Sequence, residues 1–314
     1  VGNSIKTIVL QTDGKILVLG RFNSSSNTIV RLNSDGSVDN GFNVSAQVIN
    51  QTSNLPVPFS VQPDGKIIVV GELSVIRRLN SNGSIDQTFA TNVSGYIGSI
   101  AIQPNGQILI GGSFSFVNGI SRRGIARLNT DGSFDAGFTP NLTTAGGGVR
   151  VYSIVVQPNG LIVAGGDFIY MVSGIFRGGV VRLNPDGTFD NAFNTVIAQT
   201  SVANTVTLQN NGQVLVAGAF TNFSFESLRR FVIRFNPNGS FDSNFNSGTA
   251  NFPSGTVNTL TVQSNGNIFA GGDFSFYNDV YRTSIARLDL NGGVDLSFGT
   301  TLGNLGNVSA SAIQ

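Results

Sequence analysis

Apolar and polar positions along this chain follow one pattern that repeats. A short, partly alternating segment such as Tyr152-Ser-Ile-Val-Val-Gln157 comes first. A polar Pro-Asn-Gly turn follows, then a run of consecutive apolar residues, Leu161-Ile-Val-Ala164, ending in a Gly-rich step. After a variable stretch come a third apolar segment, Gly179-Val-Val-Arg-Leu183, a second polar turn, and a close on Phe193. Short apolar runs between turn signals predict β-strands, and no stretch sustains the ~3.6-residue period of a helix. A sheet with one wet face would alternate strictly. The consecutive apolar residues of Ile67-Ile-Val-Val70 and Ile108-Leu-Ile110 therefore predict sheets covered on both faces.

The turns are the punctuation. The first turn carries Gly14, Gly65, Gly106, Gly160, Gly212 or Gly266, and the steps between these are 51, 41, 54, 52 and 54 residues. The second carries Gly36, Gly83, Gly132, Gly187, Gly239 or Gly292. Each of these glycines follows Asp or Asn. Gly accepts a positive φ without a Cβ clash, which tight hairpins need. Pro before Asp or Asn, as at Pro63, Pro104 and Pro185, presets the first central position of a type I turn. A type I turn followed by a left-handed Gly predicts a hairpin with a bulge.

Two hairpins per repeat predict four antiparallel strands. A period of roughly 50 residues points to propeller blades or another repeat array, with a β-solenoid or stacked sandwich as the alternatives. The expectation is an all-β fold, a six-bladed β-propeller of four-stranded antiparallel blades in one domain, residues 1–314. The repeats span about 4–42, 57–89, 97–138, 150–193, 203–245 and 256–298, and 299–314 starts a further repeat or an exchange strand.

The motifs Gln-Pro-Asp/Asn-Gly, then Gly-Gly-x-Phe, then Arg-Leu-Asn-x-Asp-Gly-Ser-x-Asp-x-x-Phe, the last at Arg127–Phe138, resemble the delta-60 repeat β-propeller family. That resemblance covers nearly the whole chain. It implies a bacterial exported or surface protein, often part of a larger repeat-containing chain, with no common enzymatic reaction. Two repeats depart from the pattern. Gly71-Glu72-Leu73 replaces Gly-Gly-x-Phe in the second, and Asp289 and Gly293 replace the motif Asn and Ser in the sixth.

Composition narrows the chemistry. Charged residues make up 11% and the net charge is +1, so no basic excess exists to neutralise nucleic-acid phosphates. No apolar run approaches the ~18 residues of a membrane helix. The chain has no Cys and no His. Thiol chemistry, His-based triads and the commonest transition-metal ligand are therefore absent. Low charge with abundant Gly suits an exported or cell-surface protein.

Each recurring residue type has a functional and a structural reading. Asp39, Asp86, Asp135, Asp190, Asp242 and Asp295 sit in a spacing faintly like a calcium loop, but Asn82, Asn238 and Asn291 replace the middle carboxylate in three copies. They are expected instead to accept backbone N–H bonds or to pair with the equally recurrent Arg31, Arg78, Arg127, Arg182, Arg234 and Arg287. The recurrent Phe42 through Phe298 are expected as core plugs. Glu72 and Glu226 are the only Glu residues, too few for a glycosidase pair outside the repeat turns. No catalytic residue, metal site or cofactor is expected.

The variable middle loops remain, long in the third to sixth repeats. Their aromatics and arginines are the candidate partner-binding residues: Phe116, Arg122 and Arg123; Tyr170, Phe176 and Arg177; Phe223, Phe225, Arg229 and Arg230; and Phe276, Tyr277, Tyr281 and Arg282. These residue types are enriched at interface hot spots, and binding concentrates on loops of rigid scaffolds. The alternative is local burial over their own blades.

Asn307–Gln314 resembles a seventh copy of the first strand. Three accounts fit it: a longer natural chain, a strand that closes the ring, or one that adds to a neighbouring molecule. The expected function is a non-catalytic extracellular interaction, adhesion or structural module, binding a protein or itself, with no nucleic acid and no membrane span. A head-to-tail filament subunit and a carbohydrate-binding propeller are the alternatives.

Overall fold

The computed structural model describes residues 4–22, 27–45, 58–71, 74–143, 148–193, 201–220, 229–245, 249–250, 255–278, 280–299 and 308. They are all-β. The chain divides into two compact units, Val1–Phe138 and Thr139–Ile313.

In the first unit, β1 (Ser4–Leu10), β2 (Ile16–Arg21) and β3 (Thr28–Leu32) form one antiparallel sheet in chain order. The second repeat supplies β4 (Phe59–Val61), β5 (Ile67–Val70) and β6 (Val75–Leu79). A long strand, β7 (Ile85–Ile102), then serves two repeats. Its first half pairs with β6, with Thr91 opposite Ile76, and its second half with β8 (Ile108–Val117), with Ile97 opposite Gly112. Strands β9 (Ile120–Ser121) and β10 (Ile125–Leu128) also pair with β8.

In the second unit, β11 (Arg150–Val156), β12 (Ile162–Val172) and β13 (Ile175–Leu183) form the fourth repeat's sheet. The fifth has β14 (Val202–Leu208), β15 (Val214–Phe220) and β16 (Arg229–Phe235), with β17 (Thr249–Ala250) beside β16. The sixth has β18 (Val257–Val262) and β19 (Ile268–Gly272), a separate hairpin of β20 (Phe276–Tyr277) and β21 (Val280–Tyr281), and β22 (Ile285–Leu288).

All twelve turn glycines have positive φ, from 80° to 90°. In each turn the Gly N–H donates to the carbonyl three residues back, as from Gly160 to Gln157 at 2.9 Å, and the residue at that first corner donates onward, as from Gln157 to Leu161 O at 2.8 Å. This is the expected type I turn with a bulge. The consecutive apolar strands are buried on both faces, and β5 is buried at every residue. Leu17, Leu19, Ile67 through Val70, Phe89, Ile108 and Leu128 share the first unit's core. In the second unit, Val163, Phe193, Val216 and Phe235 form one cluster, and Leu215, Phe245, Ala270 and Phe274 another.

The sheets are mostly three-stranded. In five repeats the segment after the second turn makes a single bridge to the third strand: Leu32 with Val38, Leu128 with Phe134, Leu183 with Phe189, Phe235 with Phe241 and Leu288 with Val294. The chain then curls away, because the plug Phe N–H folds back to the Asp carbonyl, as from Phe193 to Asp190 at 3.1 Å. The same bond is made by Phe42, Phe138, Phe245 and Phe298. In the second repeat the segment continues as an outer strand, the first half of β7, with a register shift between the pairs Leu79–Ile85 and Arg77–Ala90.

A backbone irregularity explains the Gly-Gly step. The first strand shifts register at one place in five repeats, between Ile5 and Thr7, Ile97 and Ser99, Val151 and Ser153, Ala203 and Thr205, and Val257 and Thr259. The shift pushes a carbonyl toward the second strand. A Cβ on Gly112, Gly166 or Gly272 would stand 2.0 Å from the oxygen of Tyr96, Arg150 or Thr256. Only Gly fits there, on grounds of space.

Gly166→Ala is expected to lower unfolding free energy by roughly 1–3 kcal/mol or more, since backbone must move. Gly119→Ala meets nothing within 4 Å and carries only the cost of its φ of 79°, roughly 1 kcal/mol. Denaturant unfolding of both variants checks this, and equal losses would contradict it.

Candidate functional site

The recurrent Arg and Asp form a joint inside each repeat. Arg Nε donates to Asp Oδ2 at 2.7 to 2.9 Å in the pairs Arg31–Asp39, Arg78–Asp86, Arg127–Asp135, Arg182–Asp190, Arg234–Asp242 and Arg287–Asp295. The other oxygen, Oδ1, accepts the backbone N–H two residues on, at 2.8 to 3.0 Å. Both expected roles of the Asp are filled, one by each oxygen. The guanidinium lies over the plug Phe, 4.5 to 5.0 Å from the ring centroid, in all six repeats.

The same Arg reaches the next repeat. Arg31 Nη1 donates to Ser81 O and Arg78 Nη1 to Thr130 O, each at 2.6 Å. Arg182 and Arg234 make the equivalent bonds to the carbonyls of Pro237 and Leu290. The plug is held from the same side. A Cβ on Gly132 would stand 2.9 Å from the Phe89 ring, and one on Gly239 would stand 2.4 Å from Phe193 Cα. These residues are occupied in holding neighbouring repeats together.

The carboxylates are correspondingly acidic. Lys15 Nζ, 2.8 Å from Asp39 Oδ2, is the main cause that holds the Asp39 carboxyl down to about 2, helped by the Gly41 N–H and Arg31. The Ser297 hydroxyl is the main cause that brings Asp295 to about 2, with Arg287 behind it. At Asp86 the Thr88 hydroxyl leads and Lys66 follows, holding the carboxyl well below the usual range. Desolvation is the largest single influence on Asp135 and raises it. Hydrogen bonds from Arg127, the Gly137 N–H and Gln107, with the Arg127 charge, outweigh it and leave the carboxyl lowered.

The candidate partner-binding residues separate into two groups. In the third, fourth and sixth repeats the loop is a β-hairpin. Its tip is Asn118-Gly119, with φ of 48° and 79°, or Ser173-Gly174, with 52° and 77°. Asn278 opens the third tip at 50°. Paired positive φ values mark a type I′ turn, which matches the twist of flanking strands. Residues two before and two after the tip face each other: Phe116 with Ser121, Met171 with Phe176, and Phe276 with Tyr281. Phe116, Met171, Phe176, Phe276 and Tyr281 are all exposed, and the Phe276 and Tyr281 rings meet edge to face at 5.4 Å. Ile120 and Ile175, one residue past the tips and opposite Val117 and Val172, are exposed as well. Sequence reading passed over both, although counting one residue past each tip finds them.

The other group turns inward. Tyr170 and Tyr277 are buried, so neither is available to a partner. Tyr170 donates its hydroxyl to Val180 O at 3.0 Å, and burial pushes the Tyr277 phenol well up. Arg177 is also buried, with Nη1 on Phe193 O at 3.2 Å. Its counterparts, three residues past the other tips, behave alike. Arg122 lies over the Phe134 ring, 5.2 Å from its centroid, and Arg282 reaches Asp295 O at 3.4 Å. The reason is alternation: a hairpin that exposes one face must seat the other on its own blade. Arg123 is exposed. Phe223, Phe225, Glu72 and Glu226 lie outside the described residues, as do the side chains of Arg229 and Arg230. Among the described residues no three His, Cys, Asp or Glu side chains come together to hold a metal ion, and no helix is long and apolar enough to cross a membrane.

A family described as "Domain of unknown function (DUF5122) beta-propeller" matches the chain six times, at residues 11–42, 62–89, 103–138, 157–193, 209–245 and 263–298. No curated protein sequence matches. Among solved structures, a catalytically inactive His-to-Ala variant of virginiamycin B lyase from Staphylococcus aureus with quinupristin is similar at a TM-score of 0.54 and 15% identity, covering 93% of this chain and 83% of that one. A streptogramin B lyase is similar at a TM-score of 0.53 and 14% identity, covering 93% and 81%. At these identities the likeness is one of fold.

Carboxyls lowered by folding stabilise the native state above their unfolded value near ~4, and that contribution is lost as pH falls through the folded values. Asp39 and Asp295, at about 2, therefore place the loss between about pH 4 and 2. Without His or Cys, no side chain titrates at its ordinary value between about pH 5 and 8. Melting temperature is expected to be level from pH 8 to 5 and to fall steeply below 4. A step near pH 6 to 7 would contradict this.

Proposed function

We propose, on the premise that the chain belongs to the DUF5122 β-propeller family, that it is a non-catalytic interaction module working outside the cell at a bacterial surface. The observation that supports this reading is the set of three hairpins. Two expose an apolar cross-strand pair, Met171–Phe176 and Phe276–Tyr281, and the third exposes Phe116 opposite Ser121, while the inward faces are seated on their own blades. Scattered exposed apolar residues are ordinary, whereas paired ones on rigid projecting hairpins form contiguous patches that suit a partner. The partner favoured here is a protein. Loss of Arg122, Arg177 and Arg282 to internal contacts leaves the contact surface mainly apolar and aromatic.

The low charge and absent cysteine fit an exported chain, and the narrower likeness to delta-60 repeats belongs to the same proposal. The two lyases share the fold with this chain. The lyase variant carrying a His-to-Ala change is catalytically inactive, and this chain contains no His. A second reading takes the Phe276–Tyr281 pair as a stacking platform for a sugar ring, since two aromatic faces stand together in the open.

The triple variant Phe116→Ser, Phe276→Ser and Tyr281→Ser tests both readings. It is expected to keep the melting temperature within a few degrees, because these side chains are exposed. It is also expected to lose at least tenfold in binding to isolated bacterial surface proteins or, for the second reading, to immobilised polysaccharides. Unchanged binding with a sharply lowered melting temperature would count against a binding role.

A further inference from the structure

Asn followed by Gly occurs nine times in this chain, and the pair is chemically labile. Gly has no side chain to shield its backbone nitrogen, so that nitrogen can add to the amide of the Asn before it. The carbonyl half of this reaction is prepared in many copies. In the hairpin turns Oδ1 accepts the backbone N–H two residues on, as from Ser84 to Asn82 and from Gln213 to Asn211, each at 3.0 Å. At Asn118 it accepts the Asn92 N–H at 2.9 Å. Such a bond polarises the carbonyl and favours the oxyanion that addition creates.

The nucleophile is what differs. In the seven turn copies the Gly N–H is donated to the carbonyl three residues back at 2.8 to 3.0 Å, as from Gly239 to Asn236 O. In Asn40-Gly41 it is donated to Asp39 Oδ1 at 3.0 Å. A nitrogen held by its proton in a fixed turn neither loses that proton readily nor swings toward the amide. Gly119 is the exception, since its N–H has no partner among the described residues. Asn118 and Gly119 are exposed at the tip of the third repeat's hairpin, and a Cβ on Gly119 would meet nothing within 4 Å. Water therefore reaches both.

We propose that Asn118 is a site of spontaneous covalent modification, deamidation through a cyclic imide with water as co-reactant, and that the change unfastens the hairpin carrying Phe116. The Gly119 nitrogen gives up its proton and bonds to Asn118 Cγ. The Cγ–Nδ2 bond breaks, and Nδ2 leaves as ammonia, taking up a proton in place of the one Gly119 lost. Water then opens the imide at either carbonyl, giving Asp or isoaspartate. Isoaspartate routes the backbone through the former side chain and so lengthens the tip by a methylene. The tip is a tight turn with φ of 48° and 79°. Asn118 also ties it to β7, donating its N–H to Asn92 O at 2.8 Å while Oδ1 holds the Asn92 N–H. A longer tip fits neither the turn nor the tie.

The purified 314-residue chain, held folded in mildly alkaline buffer, is compared by mass-spectrometric peptide mapping with the same chain in urea and with Asn118→Ser. That variant removes the amide and keeps the turn, as Ser173-Gly174 shows with φ of 52° and 77°. In the folded chain Asn118 is expected to convert roughly tenfold or more faster than any other Asn-Gly pair, the weight of one hydrogen bond on a barrier. In urea all nine are expected to convert at comparable rates. As Asn118 converts, hydrogen exchange at Ile120, opposite Val117, is expected to quicken, and in Asn118→Ser it stays constant over the same time. Conversion of Asn118 no faster than the turn pairs in the folded chain overturns the proposal. So does a preference for Asn118 that persists undiminished in urea, or conversion that leaves exchange at Ile120 unchanged.

Discussion

A buried guanidinium must satisfy its charge and its N–H groups without water, and in this chain Arg31, Arg78, Arg182 and Arg234 do so with partners from two repeats. One carboxylate oxygen takes Nε, the face of a Phe takes the ring plane, and, from the first, second, fourth and fifth repeats, the next repeat's turn carbonyl takes Nη1. Arg182 and Arg234 are buried, where an unpaired charge would cost several kcal/mol. Removing any partner therefore exposes the others to the same penalty. The planar fork suits this use, since it presents donors in fixed directions, and Lys could not reproduce it.

The joint also dictates what surrounds it. The Asp turns its second oxygen onto the backbone N–H two residues on, which fixes the start of the closing segment in every repeat. The plug must meet the next repeat's turn at close range, which leaves no room for a side chain at Gly132 or Gly239. The register shift in the first strand sets a second steric demand, met by Gly112, Gly166, Gly218 and Gly272. The twelve-residue stretch Arg127–Phe138 is therefore a fastener, held to Asp135 and Phe138 through Arg127.

Much of this was legible in the residues. The Asp-Gly and Asn-Gly turns declare themselves because the sign of φ restricts them to Gly. Consecutive apolar residues in Ile67–Val70 signal two covered faces. Arg127 and Asp135, recurring together at fixed spacing, announce their pairing. The reach of Arg31 to Ser81 O was hidden, since a carbonyl acceptor leaves no mark on residue identity. So was the shortness of the outer segment in most repeats, where a single bridge such as Leu183–Phe189 is all that joins it to the third strand. In the loops, residue type misled. Tyr277 and Arg177 look like hot-spot residues yet face inward, while Met171 and Phe176 face outward, because alternation from the tip decides.

The central claim is that the Arg–Asp pair holds its repeat together as a unit with mutual dependence. A double-mutant cycle on Arg234 and Asp242, whose side chains are 7% and 9% exposed and 2.8 Å apart, tests it most directly. Denaturant unfolding of Arg234→Leu, Asp242→Asn and the double variant gives their coupling. The account predicts about 1–3 kcal/mol, with the double variant far less damaged than the sum of the single ones. Strictly additive losses, a coupling near zero, would contradict it.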